Sequence, residues 1–132
     1  MTQKSLLITG SIFMALAVGF GAFGAHIVQE MLTPERFDVY QTAVQYHFYH
    51  AIGLLILGAV SMRMEDSNWL RWSGYCLLTG ILIFSGSLYV LTLTDTGWLG
   101  AVTPLGGFAF MLGWLFFGIG IGKGNFPESG SV

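Results

Sequence analysis

The chain has 132 residues, of which 54% are hydrophobic and 9% are charged, and its formal net charge is −2 at neutral pH. Soluble globular domains carry about 25% charged residues, so this composition excludes an ordinary soluble domain. The five Lys and Arg residues are scattered and cannot form a basic footprint, which excludes a nucleic-acid partner.

Four long uncharged runs separate the few charged residues of the chain. A helix needs about 20 residues to cross about 30 Å of hydrocarbon at about 1.5 Å per residue, and each run is longer than that. Lipid offers no partner for backbone N–H and C=O groups, so every run is predicted to be a helix. The predicted spans are residues 5–28, 38–62, 70–93 and 102–122.

Short connections between the runs indicate how the helices pack. Neighbours joined by short loops run antiparallel, so we predict an all-α integral membrane protein with four transmembrane helices in an up-down-up-down bundle. Residues 1–122 are then one transmembrane domain, and residues 123–132 are a short polar cytoplasmic tail. The first run exceeds the length of a signal-peptide h-region, so we expect it to remain as a membrane anchor.

Local signals mark the ends of three spans. Pro34 after Thr33 predicts the start of the second helix, with Thr33 as its N-cap. Thr103 and Pro104 repeat this pattern at the start of the fourth helix. The stretch 95–97, Asp-Thr-Gly, predicts the turn between the third and fourth helices.

The positive charges predict the orientation of the chain in the membrane. Lys4, Arg63, Arg71 and Lys123 fall on one side of the predicted bundle, and only Arg36 falls on the other. Cytoplasmic loops carry the excess of Lys and Arg, so both termini are predicted to be cytoplasmic.

Small residues recur at helical spacing in two spans. Gly106, Gly113 and Gly120 are seven apart in the fourth span, and Gly19 and Ala22 belong to a similar stripe in the first. Such residues let helix backbones approach closely in lipid. Two interpretations stay open: packing within the bundle, or an interface for a second copy or a partner membrane protein. The second interpretation predicts a structural or accessory subunit.

The second span carries most of the polar side chains in the membrane. These side chains share one broad face of the helix, which predicts that this face meets protein or water. Val44, Phe48 and Ala51 lie on the other face, which is predicted to meet lipid.

Polar residues of all four spans reach similar depths in the outer half of the bundle. Counted from the cytoplasmic end, His50 lies at about 18 Å and His47 at about 22 Å. We expect these side chains to line a small outward-opening pocket for a small ligand, a lipid head group or a solute. The alternative is a packed hydrogen-bond network that sets helix register, at about 0.6 kcal/mol per bond. The candidates are His26, Gln41, Gln45, Tyr46, His47, His50, Ser85, Ser87, Tyr89 and Thr103.

Catalytic and metal chemistry find little support in these residues. His47 and His50 could supply two metal ligands, but His26 lies about 9 Å higher than His47. No carboxylate within a span could complete a zinc site or serve as a general acid or base. Ser85 and Ser87 lack the strand-turn-helix elbow and the orienting acid of a serine hydrolase. We therefore predict no metal and no cofactor, and the residues favour a non-enzymatic function.

Four motifs, taken in order, resemble a known family over residues 5–122. They are Gly-Ala-Phe-Gly-Ala-His at 21–26, Thr-Ala-Val-Gln-Tyr at 42–46 followed by His50-Ala51, Phe-Ser-Gly-Ser-Leu-Tyr at 84–89, and Thr-Pro-Leu-Gly-Gly at 103–107. This pattern is similar to the YgdD/YwdK-type family of small bacterial inner-membrane proteins, a domain of unknown function, in which position 47 would be Gln. The resemblance implies four transmembrane helices in a plasma membrane. It implies no substrate or cofactor, and it favours His26, His50, Ser85, Ser87, Tyr89 and Thr103 as functional residues.

Overall fold

The computed structural model of the chain describes residues 1–64 and 66–125, and within these residues the regular elements are all helical. Four helices are long and apolar enough to cross a membrane. They are α1 at Gln3–Met31, α2 at Pro34–Ser61, α3 at Asn68–Thr94 and α4 at Thr103–Lys123, the last preceded by a 3-10 turn at Gly97–Ala101. The predicted all-α fold with four membrane helices is confirmed.

Each predicted span matches one of these helices, and the helices extend beyond most of the predicted ends. Helix α4 ends at Lys123, the first residue of the predicted tail. Residues 126–132 of that tail lie outside the described residues.

Of the two threonine caps that the local signals predict, the one at Thr33 is present and the one at Thr103 is not. The Thr33 hydroxyl accepts a hydrogen bond from the backbone N–H of Arg36 at 3.4 Å, which confirms the N-cap of α2. The corresponding prediction for Thr103 is wrong. The backbone is already helical at Val102, which joins the 3-10 turn to α4, so the Thr103 hydroxyl bonds back to the carbonyl of Leu99 at 3.2 Å.

Helices α2 and α3 form the centre of the bundle. Helix α1 packs mainly along α2, and α4 packs mainly along α3. In the apolar window of each helix, 44% of residues are buried in α2 and in α3, against 17% in α1 and 22% in α4. More side chains of α2 and α3 are therefore held by neighbours on several sides, whereas α1 and α4 leave much of their surface to the surroundings.

Two apolar clusters hold the two ends of the bundle together. At the end that carries both chain termini, here called the terminal end, Leu6, Leu57 and Leu70 belong to one buried cluster. At the opposite end, here called the Arg36 end, Tyr40 and Tyr89 belong to the second. The second cluster is the more polar one, because both of its tyrosines carry hydroxyl groups that need partners.

Glycines in α4 allow α3 to approach closely. A Cβ atom built at Gly113 would lie 2.7 Å from Cδ2 of Leu77, and one built at Gly120 would lie 2.6 Å from Cδ2 of Leu70. A Cβ atom at Gly106 would collide with the backbone of Phe84. This stripe of small residues is therefore occupied by α3 inside the molecule.

Candidate functional site

Two π-helical turns interrupt the membrane helices. One occupies Gly24–Val28 in α1, and the other occupies Ile81–Ser85 in α3. Such turns contain one extra residue and are frequent at functional sites. The turn in α1 rests on Tyr40: a Cβ atom at Gly24 would lie 2.5 Å from the tyrosine ring. The Tyr40 hydroxyl donates a hydrogen bond to the carbonyl of Phe20 at 2.7 Å, which ties α2 to α1 beside the π turn.

His47 and Tyr89 form a buried polar contact between α2 and α3. Nδ1 of His47 lies 3.2 Å from the Tyr89 hydroxyl, and Phe13 packs edge-on against the imidazole with ring centroids 5.7 Å apart. Phe20 stacks on Tyr89 at 4.4 Å. Aromatic rings of α1 thus enclose this contact.

Hydroxyl groups join the end of α3 to the start of α4. The Ser87 and Thr103 hydroxyls lie 2.7 Å apart, and Ser87 also donates to the carbonyl of Phe84 at 3.0 Å. Ser85, the last residue of the π turn, is fully buried. Among the described residues, the fully buried side-chain polar atoms without a partner are Oγ of Ser85 and Nε2 of His47.

A groove between α1 and α2 opens at the Arg36 end. It has a volume of about 280 Å³, and its exposed amide side chains are Gln29, Gln41 and Gln45. We call it the glutamine groove. Gly21 and Gly24 provide a wall without side chains. The remaining lining residues are Ala25, Phe37, Tyr40 and Val44.

A second groove lies where α2, α3 and α4 meet. It has a volume of about 440 Å³, and we call it the aromatic groove. His50 and Tyr46 contribute from α2, Phe84 from α3, and Phe110 and Trp114 from α4. The remaining lining residues are Pro104, Gly107, Phe108 and Met111.

The structure divides the ten predicted site residues among several places. The five that are packed inside the bundle are His47, Ser85, Ser87, Tyr89 and Thr103. Gln41 and Gln45 line the glutamine groove, and Tyr46 and His50 line the aromatic groove. His26 is exposed on α1 and lines neither groove. The predicted lipid-facing side of α2 is wrong: Ala51 is fully buried, and Val44 and Phe48 pack beside Gly21 of α1, because small residues let α2 lie close to its neighbours.

Sequence reasoning overlooked two contributors to the glutamine groove. Gln29 ends the first uncharged run and was assigned no role, although it is a polar residue at the edge of a span. Tyr40 fills the space beside Gly24. The sequence signal that could have identified Tyr40 is a large aromatic residue in α2 that faces a glycine, Gly24, in α1.

Charges at the Arg36 end leave an acidic rim. Arg36 lies 3.4 Å from the Asp95 carboxylate and donates hydrogen bonds to the carbonyls of Thr92 at 2.6 Å and Leu91 at 3.3 Å. The Arg36 guanidinium is therefore engaged by groups at the end of α3. The exposed carboxylates of this rim are Glu30, Glu35 and Asp38. Over residues 1–64 and 66–125, no three His, Cys, Asp or Glu side chains gather as metal ligands would.

Comparison with known proteins identifies the family. The family model "Protein of unknown function (DUF423)" matches residues 20–107. The chain is 42% identical to the UPF0382 membrane protein YwdK of Bacillus subtilis over 113 residues, which cover 86% of this chain and 92% of YwdK. It is 42% identical to the UPF0382 membrane protein SSP2132 of Staphylococcus saprophyticus over 121 residues, covering 92% and 99% of the two chains. No solved structure matches. The resemblance seen in the four motifs is confirmed, and the chain belongs to the DUF423 family of multi-pass membrane proteins.

Proposed function

We propose that the protein is non-enzymatic and binds an amine-bearing polar head group from the outer leaflet in the glutamine groove. One observation supports this most directly: three exposed amide side chains surround a wall of glycine backbone near the edge of the hydrocarbon region. An amide in an apolar environment without a hydrogen-bond partner costs about 1–3 kcal/mol. A ligand that supplies donors and acceptors to Gln29, Gln41 and Gln45 removes that cost.

The charges at the mouth of the groove favour an amine. Glu30 follows Gln29 directly, and Asp38 precedes Gln41 by one helical turn, and both carboxylates are exposed. Arg36, the basic residue at this end, is engaged by Asp95 and the end of α3. Local carboxylates attract a cation and repel an anion, so a zwitterionic or cationic head group fits better than an anionic one.

We further propose that residues 1–122 form one transmembrane domain of a bacterial inner membrane protein, with both termini in the cytoplasm. Four of the five basic residues lie at the terminal end or in the loop beside it. Green fluorescent protein fused to the C-terminus should then fluoresce, and alkaline phosphatase fused after Thr96 should be active. The reverse pattern would place the glutamine groove on the cytoplasmic side.

The binding proposal predicts a lipid preference that the glutamines control. In nanodiscs of equal phosphatidylethanolamine and phosphatidylglycerol, native mass spectrometry should find phosphatidylethanolamine retained preferentially. Gln41→Leu combined with Gln45→Leu should reduce that preference about tenfold, because two hydrogen bonds are lost at about 0.6–1 kcal/mol each. Both side chains are exposed, so the variant should fold.

The matched control is Tyr49→Phe. Tyr49 lies on α2 one turn beyond Gln45, is 57% exposed and does not line the groove. This variant should keep the preference of the unaltered protein. Equal retention of the two lipids by the unaltered protein, or an unchanged preference in the double variant, would contradict the proposal.

A second candidate function is an accessory subunit that docks through α1. The observation that favours it is the outward-facing surface of this helix: a Cβ atom at Gly19 would meet nothing within 4 Å, and Ala22 is exposed. In contrast, Gly106, Gly113 and Gly120 of α4 already lie against α3. The same native mass spectra report the number of copies in each nanodisc, and one copy without a bound protein would count against this candidate.

A further inference from the structure

His50 occupies an unusual position in the aromatic groove. It lies eleven residues before Ser61 in α2, about 16 Å along the helix and therefore near the middle of an about 30 Å hydrocarbon layer. Its side chain is 5% exposed, and its ring stacks on Phe110 with centroids 3.4 Å apart. An imidazole held at this depth is costly unless its polar atoms are used.

One hydrogen bond determines which nitrogen of His50 carries the proton. Nδ1 lies 2.6 Å from the backbone carbonyl of Tyr46. A carbonyl oxygen only accepts, so Nδ1 must donate, and the neutral ring then has an unprotonated Nε2 with a free lone pair.

Nε2 of His50 has no hydrogen-bond partner among the described residues, and it is not fully enclosed. His50 is one of the groove-lining residues. Among residues 1–64 and 66–125, the fully enclosed side-chain polar atoms without a partner belong to His47 and Ser85, and Nε2 of His50 is not one of them. Since His50 lines the groove, we take Nε2 as a hydrogen-bond acceptor on a surface that is mostly aromatic.

The walls of the groove suit a flat ring. Tyr46 stacks on Phe84 with centroids 4.5 Å apart, and Phe110 packs against both rings, with its centroid 5.6 Å from that of Phe84 and 6.2 Å from that of Tyr46. Trp114 and Phe108 are 40% and 61% exposed, so the groove opens sideways toward the bilayer. A volume of about 440 Å³ is within the usual range of about 300–1,000 Å³ for small-molecule sites.

We infer that the aromatic groove binds a membrane-soluble ring compound that carries a hydroxyl group, and that the hydroxyl donates its hydrogen bond to Nε2 of His50. Lipids with a phenol or hydroquinone head group have this chemistry. Their ring stacks on the aromatic walls, and their apolar tail leaves through the side that faces the bilayer. The oxidised quinone form has only acceptor oxygens and cannot donate to Nε2, so the groove discriminates between the two forms.

A pair of probes that differ only in the hydroxyl group tests this inference. With protein labelled by ¹⁵N-histidine in nanodiscs, 4-octylphenol should shift the Nε2 resonance of His50, and 4-octylanisole, its methyl ether, should shift it much less. The phenol should bind about five- to tenfold more tightly than the ether, as expected for one hydrogen bond in a low-dielectric site.

His50→Phe is the matched variant, because phenylalanine keeps a flat ring against Phe110 and removes the acceptor. In this variant, the advantage of the phenol over the ether should disappear while the ether binds as before. Tyr49→Phe, outside the groove, should leave both affinities unchanged. Equal affinity of the two probes for the unaltered protein, or an Nε2 resonance that does not respond, would overturn the inference. Neither result depends on the glutamine groove.

Discussion

Replacing Gly106 with alanine is expected to destabilise the contact between α3 and α4 by about 3 kcal/mol. A Cβ atom at this position would meet the backbone nitrogen of Phe84 and would lie 2.7 Å from its Cα atom. A flexible side chain could move away, but the backbone of a packed helix cannot, so the two helices must separate. Overpacking of this kind costs about 1–3 kcal/mol, and occasionally more.

The measurement is the midpoint of unfolding when sodium dodecyl sulfate is added to protein in mild detergent. Gly118→Ala is the control on the same helix, because a Cβ atom there would meet nothing within 4 Å. It should match the unaltered protein or exceed it, since alanine favours helix over glycine by about 1 kcal/mol. Equal midpoints for the two variants would show that Gly106 does not limit the approach of the helices. Phe84 also forms a wall of the aromatic groove, so Gly106→Ala should weaken binding of 4-octylphenol as well.

Replacing Arg36 with methionine should be the next most damaging change, at about 2–3 kcal/mol. The guanidinium donates to the carbonyls of Leu91 and Thr92, which lie in the last turn of α3. That turn is the negative end of the helix dipole. Hydrogen bonds to a charged group contribute about 1.5–3 kcal/mol, and methionine keeps the aliphatic part of the side chain but not the donors.

The ion pair of Arg36 with Asp95 should contribute much less. The Asp95 side chain is 86% exposed, and exposed ion pairs are usually worth about 0–1 kcal/mol. Asp95→Asn should therefore shift the unfolding midpoint only slightly, and asparagine also tolerates the left-handed backbone at this position, where φ is 58°. Hydrogen exchange at the end of α3 should accelerate in Arg36→Met and not in Asp95→Asn. Similar acceleration in both would assign the stabilisation to the ion pair.

The membrane helices could be predicted from the sequence because their signal is long and simple. Each uncharged run exceeds the thickness of the hydrocarbon layer, and residues such as Thr33 and Pro34 mark a start chemically. The error at Thr103 has a local cause. The same two residue types stand after a 3-10 turn there, and the turn had already begun the helical winding.

The candidate site was harder to predict, because the helical rise determines the depth of a side chain but not the direction in which it points. The rise of about 1.5 Å per residue gives the height of a side chain, so Gln45 and His47 could be placed at similar depths. Which side of α2 faces its neighbours depends on close packing of small residues. Polarity alone predicts that Ala51 faces lipid, whereas Ala51 is buried in the bundle. His47 accordingly lies inside the bundle, while Gln45 lines an open groove.

The shape of the glutamine groove depends on the number of residues in the π turn at Gly24–Val28. One extra residue rotates everything that follows by about 100° about the helix axis, relative to an uninterrupted α-helix. Gln29 comes directly after this turn, and without the added residue it would point away from Gln41 and Gln45. Deleting a single residue between 24 and 28 would therefore misalign the three amides while changing none of them, and insertions or deletions here should be tolerated less well than substitutions.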